Sequence, residues 1–249
     1  MGRPSMQAVG FYKFGGSDVL EVINLPEEHA GPGQVRIRNY AATVNPTDLL
    51  ARNGSRSEQM SLDPPPYVPG MEASGIIKEI GPDVSNFSAG DRVAYAAVPL
   101  GAYSTHRIYK TNNLVKIPKE IDLNIAAAIM TKGLTVYYLL YKTYPISSGE
   151  TILFHAAAGG VGQIFCQWAK SLGCKVIGTV GNEEKVEIAK KNGCDEIINY
   201  NKEDFAKKVM ELTDGKGVSV VYDGVGKSTF EKSLECLKTR GMMVSFGNA

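Results

Sequence analysis

The chain has 249 residues, with 27 Lys or Arg against 26 Asp or Glu, and is 43% hydrophobic and 21% charged. That composition excludes disordered, collagenous and disulfide-scaffold classes, and a formal net charge of +1 leaves no basic surplus to drive nucleic-acid binding by counterion release. At about 150 residues per domain, the length predicts one large or two modest domains, each able to bury a core.

Residues 1–5 (MGRPS) read as a cloning remnant and Met6 as the natural start. Residues 34–40 alternate, with Val35, Ile37 and Asn39 on one face and Arg36 and Arg38 on the other, which predicts a half-buried strand. Turn signals punctuate this half closely: Gly31-Pro32-Gly33, Asn53-Gly54, Pro64-Pro65-Pro66, Pro69-Gly70, Gly81-Pro82 and Ala89-Gly90. Short strands between such signals predict a barrel-like or sandwich-like β domain. Near Asn124 the texture changes, and residues 125–140 predict helix, with Gly133 where two helices would meet. From Glu150 onward strands alternate with helices. The strands fall at 151–155, 175–180, 195–200, 218–223 and 242–246. The intervening segments carry apolar residues at helical spacing: Ile164, Phe165, Trp168 and Leu172; Phe205, Val209 and Leu212; Phe230, Leu234 and Leu237. Gly173 and Gly193 stand where helices should stop. Such alternation predicts a parallel, doubly wound sheet with right-handed crossovers. A full dinucleotide fold has six strands; five are counted, and the last residue, Ala249, comes three residues after the fifth.

Residues 151–169 contain no charged side chain, close to the ~20 residues that span a bilayer. Three glycines within four positions, with His155, Gln163 and Gln167, favour a strand, a turn and a helix, so no membrane span is predicted. The four cysteines (Cys166, Cys174, Cys194, Cys236) lack CxxC spacing, which points to a reducing, cytoplasmic setting rather than a metal or disulfide site.

The strongest chemical signal is residues 155–162, His-Ala-Ala-Ala-Gly-Gly-Val-Gly, directly after a predicted strand and opening a helix. Gly159 and Gly162 occupy the second and third glycine positions of a dinucleotide fingerprint, with Ala157 at the first. Small residues are needed there so that a pyrophosphate can approach bare backbone at a helix N-terminus. An NAD-selective fold places Asp or Glu at the end of the second strand to bind the ribose 2′-hydroxyl. Here that position reads Thr179-Val180-Gly181-Asn182, which admits a 2′-phosphate, and Lys185 follows on the next helical turn to pair with it. The cofactor expected is NADP(H).

At these residues, and at 45–48 (Asn-Pro-Thr-Asp), 69–75 (Pro-Gly-Met-Glu-Ala-Ser-Gly), 90–95 (Gly-Asp-Arg-Val-Ala-Tyr), 101–103 (Gly-Ala-Tyr) and 132–138 (Lys-Gly-Leu-Thr-Val-Tyr-Tyr), the sequence resembles the quinone oxidoreductase, or zeta-crystallin-like, branch of the medium-chain dehydrogenase/reductase superfamily. The resemblance implies an α/β architecture: a GroES-like β-barrel domain over 6–126 and a Rossmann-type doubly wound parallel sheet over 127–249. It also implies that relatives continue past position 249 with a sixth strand and a return segment, so that the chain is truncated after the fifth Rossmann strand. The active site would lie in the cleft between the domains. Asn45 and Asp48 would line its nicotinamide side, with Thr135 and Tyr138 reaching the cofactor from the linking helix. Gly159, Gly160 and Val161 would hold the pyrophosphate, and Gly181, Lys185 and Tyr200 the adenosine 2′-phosphate. Gly224 and Val225 would sit under the ribose and nicotinamide, with Phe246 and Gly247 bordering the nicotinamide pocket. Asn45, Asp48 and Thr135 are the residues expected at the reacting centre. Relatives form homodimers through their Rossmann sheet edges.

Zinc-dependent alcohol dehydrogenases of the superfamily need Cys, His and Glu or Cys ligands. Here the first ligand region reads Val44-Asn45-Pro46-Thr47-Asp48, Gly70-Met71-Glu72 replaces Gly-His-Glu, and no cysteine precedes position 166, so that activity is excluded and no metal is expected. The activity implied is hydride transfer from NADPH to a quinone, an acceptor that needs little electrophilic help. The alternatives are reduction of an enone, alkenal or enoyl thioester, and a crystallin-like or RNA-binding nucleotide-binding protein with little turnover. Enoyl-thioester reductases place a tyrosine soon after the segment matching Asn53-Gly54; here residues 55–59 read Ser-Arg-Ser-Glu-Gln, which counts against the enoyl-thioester reading.

Overall fold

The structure is a computed structural model that describes residues 5–55 and 64–247; positions 56–59 of the tyrosine-free stretch and residues 1–4 lie outside the described residues. The chain divides into two compact units, Met1–Thr131 and Lys132–Ala249.

In the first unit β1 (Ser5–Gly10) pairs antiparallel with β2 (Glu21–Pro26). Then come β3 (Gln34–Thr43), the short helix α1 (Pro46–Arg52), β4 (Glu72–Ile80), β5 (Arg92–Tyr95), β6 (His106–Lys110) and β7 (Leu114–Lys116). The last five strands form an antiparallel sheet in the order β6-β3-β4-β5-β7. The alternation read from the sequence is the one observed: Val35 and Ile37 are fully buried against Ala73, Ile77, Val93 and Tyr95, while Arg36 and Arg38 face outward. Pro46 opens α1, where its missing N–H costs nothing.

Helix α2 (Leu123–Tyr138) contains the division between the units. It continues through Gly133, the one position in this segment where two helices could meet. A glycine inside a helix costs ~1 kcal/mol. Here the following turn has enough anchorage to carry that cost, because Val136, Leu139 and Leu140 are buried in the core of the second unit. The apolar segment Leu123–Thr143, 21 residues with mean hydropathy 1.3, is long and apolar enough to cross a membrane by length and composition; Val136, Leu139 and Leu140 within it pack into that core.

The second unit contains β8 (Thr151–Phe154), α3 (Gly160–Ser171), β9 (Lys175–Val180), α4 (Glu183–Lys191), β10 (Glu196–Asn199), α5 (Phe205–Leu212), β11 (Val218–Asp223), α6 (Phe230–Glu235) and β12 (Leu237–Ser245). The uncharged run 151–169 thus resolves into a strand, a glycine turn and a helix. The five strands are all parallel, in the order β10-β9-β8-β11-β12. Successive strand residues point to opposite faces: Ile152, Phe154, Val220 and Tyr222 pack with Phe165 of α3, while Leu153, Ile177 and Val221 pack with Phe205 and Val209 of α5. That double burial is the doubly wound architecture the strand–helix alternation predicts. Chain order reverses at β8, where β9 and β10 lie on one side and β11 and β12 on the other, and the carboxyl ends of β8 and β11 flank this switch point, the place where open α/β sheets bind ligands.

Candidate active site

Most candidate residues of the second unit lie at the carboxyl ends of its parallel strands, with Thr135 and Tyr138 on α2. After β8, Gly159 precedes the first turn of α3, whose N–H groups have no partner one turn back. A Cβ on Gly162 would stand 2.6 Å from the carbonyl oxygens of both Ala156 and Ala157, so only glycine lets α3 start this close to the strand. A Cβ on Gly160 would touch the Lys132 side chain at 3.0 Å, which places the face of α2 bearing Lys132 beside this loop. Thr135, three residues on, hydrogen-bonds Tyr138, whose phenol burial holds above its ordinary value. After β9, a Cβ on Gly181 would meet the Tyr200 hydroxyl at 2.7 Å, so Tyr200 covers Gly181. Asn182 caps α4 by accepting from the Lys185 N–H at 3.0 Å, which fixes Lys185 on the first turn. Two acids, Glu183 and Glu184, share that turn. Glu183 accepts from Asn199 Nδ2 and pairs with Lys202, both at 2.8 Å, and is drawn toward the end of β10.

After β11, Asp223 organises the turn: its Oδ1 accepts from the N–H groups of Val225 (2.8 Å) and Gly226 (3.0 Å), and its Oδ2 from the Thr229 hydroxyl at 2.8 Å. The Phe246 ring lies 3.2 Å from where a Gly224 Cβ would be, and its N–H donates to the Asp223 carbonyl. Gly224, Val225, Phe246 and Gly247 are thus brought together, as are Gly181 and Tyr200. Beneath them His155 is buried between Thr179 Oγ1 and Ser233 Oγ, each at 2.8 Å. Burial lowers its imidazole to about 4, against a weaker opposing pull from Asp223, so it is neutral at pH 7.

In the first unit a different kind of site forms around Asn45 and Asp48, both 4% exposed. The Asp48 Oδ2 accepts from the Asn45 N–H and from the Tyr103 hydroxyl, each at 2.8 Å. Burial raises the Asp48 carboxyl above its ordinary range, against these hydrogen bonds and with help from the nearby Glu72 charge. The same burial, and the Asp48 charge, push the Tyr103 phenol well above its usual value. The Asn45 Nδ2 donates to Glu72 Oε1 at 2.8 Å, and Glu72 Oε2 accepts from the Thr131 N–H at 2.6 Å. Glu72, 0% exposed, therefore ties α1 to the middle of α2. Gly70, at φ +99°, lets this loop close: its carbonyl accepts from Gly101 and Ala102, and a Cβ there would strike the Tyr103 N at 2.8 Å.

The sequence motifs point to Asn45 and Asp48 but assign no role to Tyr103 or Glu72. Their only signals were membership of motifs 101–103 and 69–75, whose proximity the fold alone reveals. Among the described residues no group of three or more His, Cys, Asp or Glu is placed to hold a metal ion.

Residues 31–119 match the model of the alcohol dehydrogenase GroES-like domain, and residues 160–249 that of the zinc-binding dehydrogenases. A quinone oxidoreductase of Pseudomonas aeruginosa is 49% identical over 244 residues, which make up 97% of this chain and 73% of that protein. A 2-haloacrylate reductase of a Burkholderia species is 46% identical over 98% of the chain and 74% of its own length. The structure of the Escherichia coli quinone oxidoreductase complexed with NADPH superposes with a TM-score of 0.91 at 45% identity, covering 97% of this chain and 73% of that one.

Proposed function

The chain belongs to the quinone oxidoreductase family, and from that premise we propose that it is an NADPH-dependent quinone oxidoreductase. The overall reaction consumes NADPH, a proton and a quinone and yields NADP⁺ and a hydroquinone. When bound, the nicotinamide supplies the hydride; the protein supplies grip, orientation and exclusion of water. The observation that carries this reading is the glycine turn at the start of α3, where backbone at 2.6 Å excludes a side chain at position 162 and glycines at 159 and 160 leave the helix N-terminus open to a pyrophosphate. In this reading Gly159, Gly160 and Val161 hold the pyrophosphate. Gly181, Tyr200 and Lys185 surround the 2′-phosphate, an assignment supported by the diversion of Glu183 toward Asn199 and Lys202. Gly224, Val225, Phe246 and Gly247 hold the ribose and nicotinamide end, with Thr135 and Tyr138 above. Asn45 and Asp48 face the acceptor, and Asp48 and Tyr103 together form a hydrogen-bonded pair able to stabilise or relay a proton. The metal-free character of the chemistry is supported by Glu72, whose two oxygens are engaged by Asn45 and Thr131. The domains are read as 6–126 and 127–249, and the setting as cytoplasmic, in keeping with four free cysteine thiols.

The 2-haloacrylate reductase relative favours an activated alkene as a second acceptor class. The test is loss of NADPH absorbance with an ortho-naphthoquinone, run beside an enone and 2-chloroacrylate. Turnover with the quinone is expected; tight NADPH binding with no oxidation by any of the three would refute the enzyme assignment.

A further inference from the structure

The outer face of the first unit gathers positive charge that the reaction does not use. Arg38 on β3 stands directly opposite His106 on β6, and Arg36 lies two residues along the same face. On β4 the pairing slips between Arg36↔Glu79 and Ile37↔Ile77, so Lys78 is an extra residue in the ladder. Such a bulge leaves two consecutive side chains on one face, here Lys78 and Glu79. Glu79 is consumed locally: it pairs with Arg36 and His29 and accepts from the Ala30 N–H. Glu27 also pairs with Arg36. Among the described residues no ion pair is made by Arg38 or Lys78, and both are exposed. These side chains line a polar groove of about 850 Å³, with Gln7 and Thr105 as neutral donors and acceptors.

Charge crowding is visible in His106. Burial first, and then the charges of Arg36, Arg38 and Lys78, hold its imidazole below the usual range. Of the acids nearby, Glu27 and Glu79 pair with Arg36 and Glu79 also with His29, while Glu28 lines an adjoining hollow with Glu27, Arg36, His106 and Arg107. Two unpaired cations beside a histidine kept neutral form a site whose own field favours an anion of two or more charges. We propose that this groove binds a phosphate chain, with Arg38 and Lys78 as its charge partners and Thr105 and Gln7 as hydrogen-bonding groups. Arg38 on β3 and Lys78 on β4 line the same groove, so both can act on one polyanion. The chain can be free or carried by a nucleoside, and the chemistry recognised is the same.

The test is calorimetric titration of inorganic tripolyphosphate, and separately of ATP, into the full chain already saturated with NADPH, at constant ionic strength. A saturable 1:1 heat is expected with tripolyphosphate. Equal affinity for ATP assigns recognition to the phosphates alone, and tighter ATP binding adds the nucleoside as carrier. The double variant R38Q/K78Q is expected to bind about tenfold more weakly, or not at all, with NADPH affinity and melting temperature unchanged. In parallel, the His106 titration followed by NMR should move upward when tripolyphosphate binds. No heat above the salt-matched blank, or wild-type affinity in R38Q/K78Q, would overturn the proposal.

Discussion

The two units build their candidate sites by opposite means. The second unit works with backbone: glycines and helix N-termini at the ends of parallel strands, where the essential property is the absence of a side chain. The first unit works with side chains, holding Asn45, Asp48, Glu72 and Tyr103 in one buried hydrogen-bonded net. A backbone site of this kind is intolerant of added carbon where other backbone lies close, as at Gly162. A side-chain net is instead sensitive to the loss of a polar group, because each buried polar group depends on its partner. Cofactor grip and acceptor chemistry should therefore fail separately when each is perturbed.

The largest effect on cofactor binding should come from Gly162→Val. Its Cβ would overlap two carbonyl oxygens that belong to the backbone and cannot rotate away. Overpacking of this kind costs ~1–3 kcal/mol and moves α3 off the strand. NADPH binding, measured by fluorescence titration, should be lost along with several degrees of melting temperature. Retention of wild-type NADPH affinity would break the account of the cradle.

Next comes Glu72→Leu, which removes the acceptor of both Asn45 Nδ2 and the Thr131 N–H, at ~1–3 kcal/mol each in stability. With Asn45 released, kcat for quinone should fall about 10- to 100-fold, as for a misplaced reacting-site group. NADPH affinity should stay near wild type, because the proposed cofactor grip lies in the second unit. Equal loss of kcat and NADPH affinity would show that the two sites are not separable in this way.

This division also explains what the sequence made legible. Spacing located β9 and β11 to the residue, since both are apolar runs buried on two faces. The glycine cradle was equally visible, being contiguous. By contrast β12 begins at Leu237, five residues before the predicted start. Its polar stretch Lys-Thr-Arg-Gly reads as a turn, and Arg240 does adopt φ +64°; the strand continues because its pairing with β11 skips from Leu237 to Met242 across an irregularity. The side-chain net was legible only in part. Asp48 and Tyr103 are 55 residues apart and Asn45 and Glu72 are 27 apart, so no local pattern joins them. The anion groove was hidden for a related reason: Arg36 and Arg38 alternate visibly on one strand, but the bulge that adds Lys78 belongs to the pairing of two strands.

His155 sharpens the comparison by adding a buried side-chain network beneath the backbone cradle. Its folded value near 4 lies below the ordinary 6.5, so the unfolded chain binds more protons between these values. Stability therefore rises with pH across that window and is lost as pH falls from 6.5 toward 4. Thermal melts in this interval should show that slope. His155→Gln, which keeps polar contacts to Thr179 and Ser233 but cannot charge, should flatten it while lowering the melting temperature at pH 7. An unchanged slope would assign the limb to other groups.

The smallest expected effect is the most discriminating. Lys185 is exposed, so its attraction for a 2′-phosphate is screened by solvent and salt and is worth about 1 kcal/mol. Lys185→Ala should weaken NADPH about five- to tenfold at low salt, with the difference shrinking as salt is added, and should leave NADH within about twofold. The mechanism requires that Glu183 remain held by Asn199 and Lys202, away from the 2′ position. Lys202→Ala removes one of those two holds and should lower the NADPH-over-NADH preference in the same direction, although Lys202 itself is not assigned to the phosphate. If Lys185→Ala weakens both cofactors equally, the 2′-phosphate is not read on this turn, and the backbone at Gly181 and the hydroxyl of Tyr200 carry the selectivity instead.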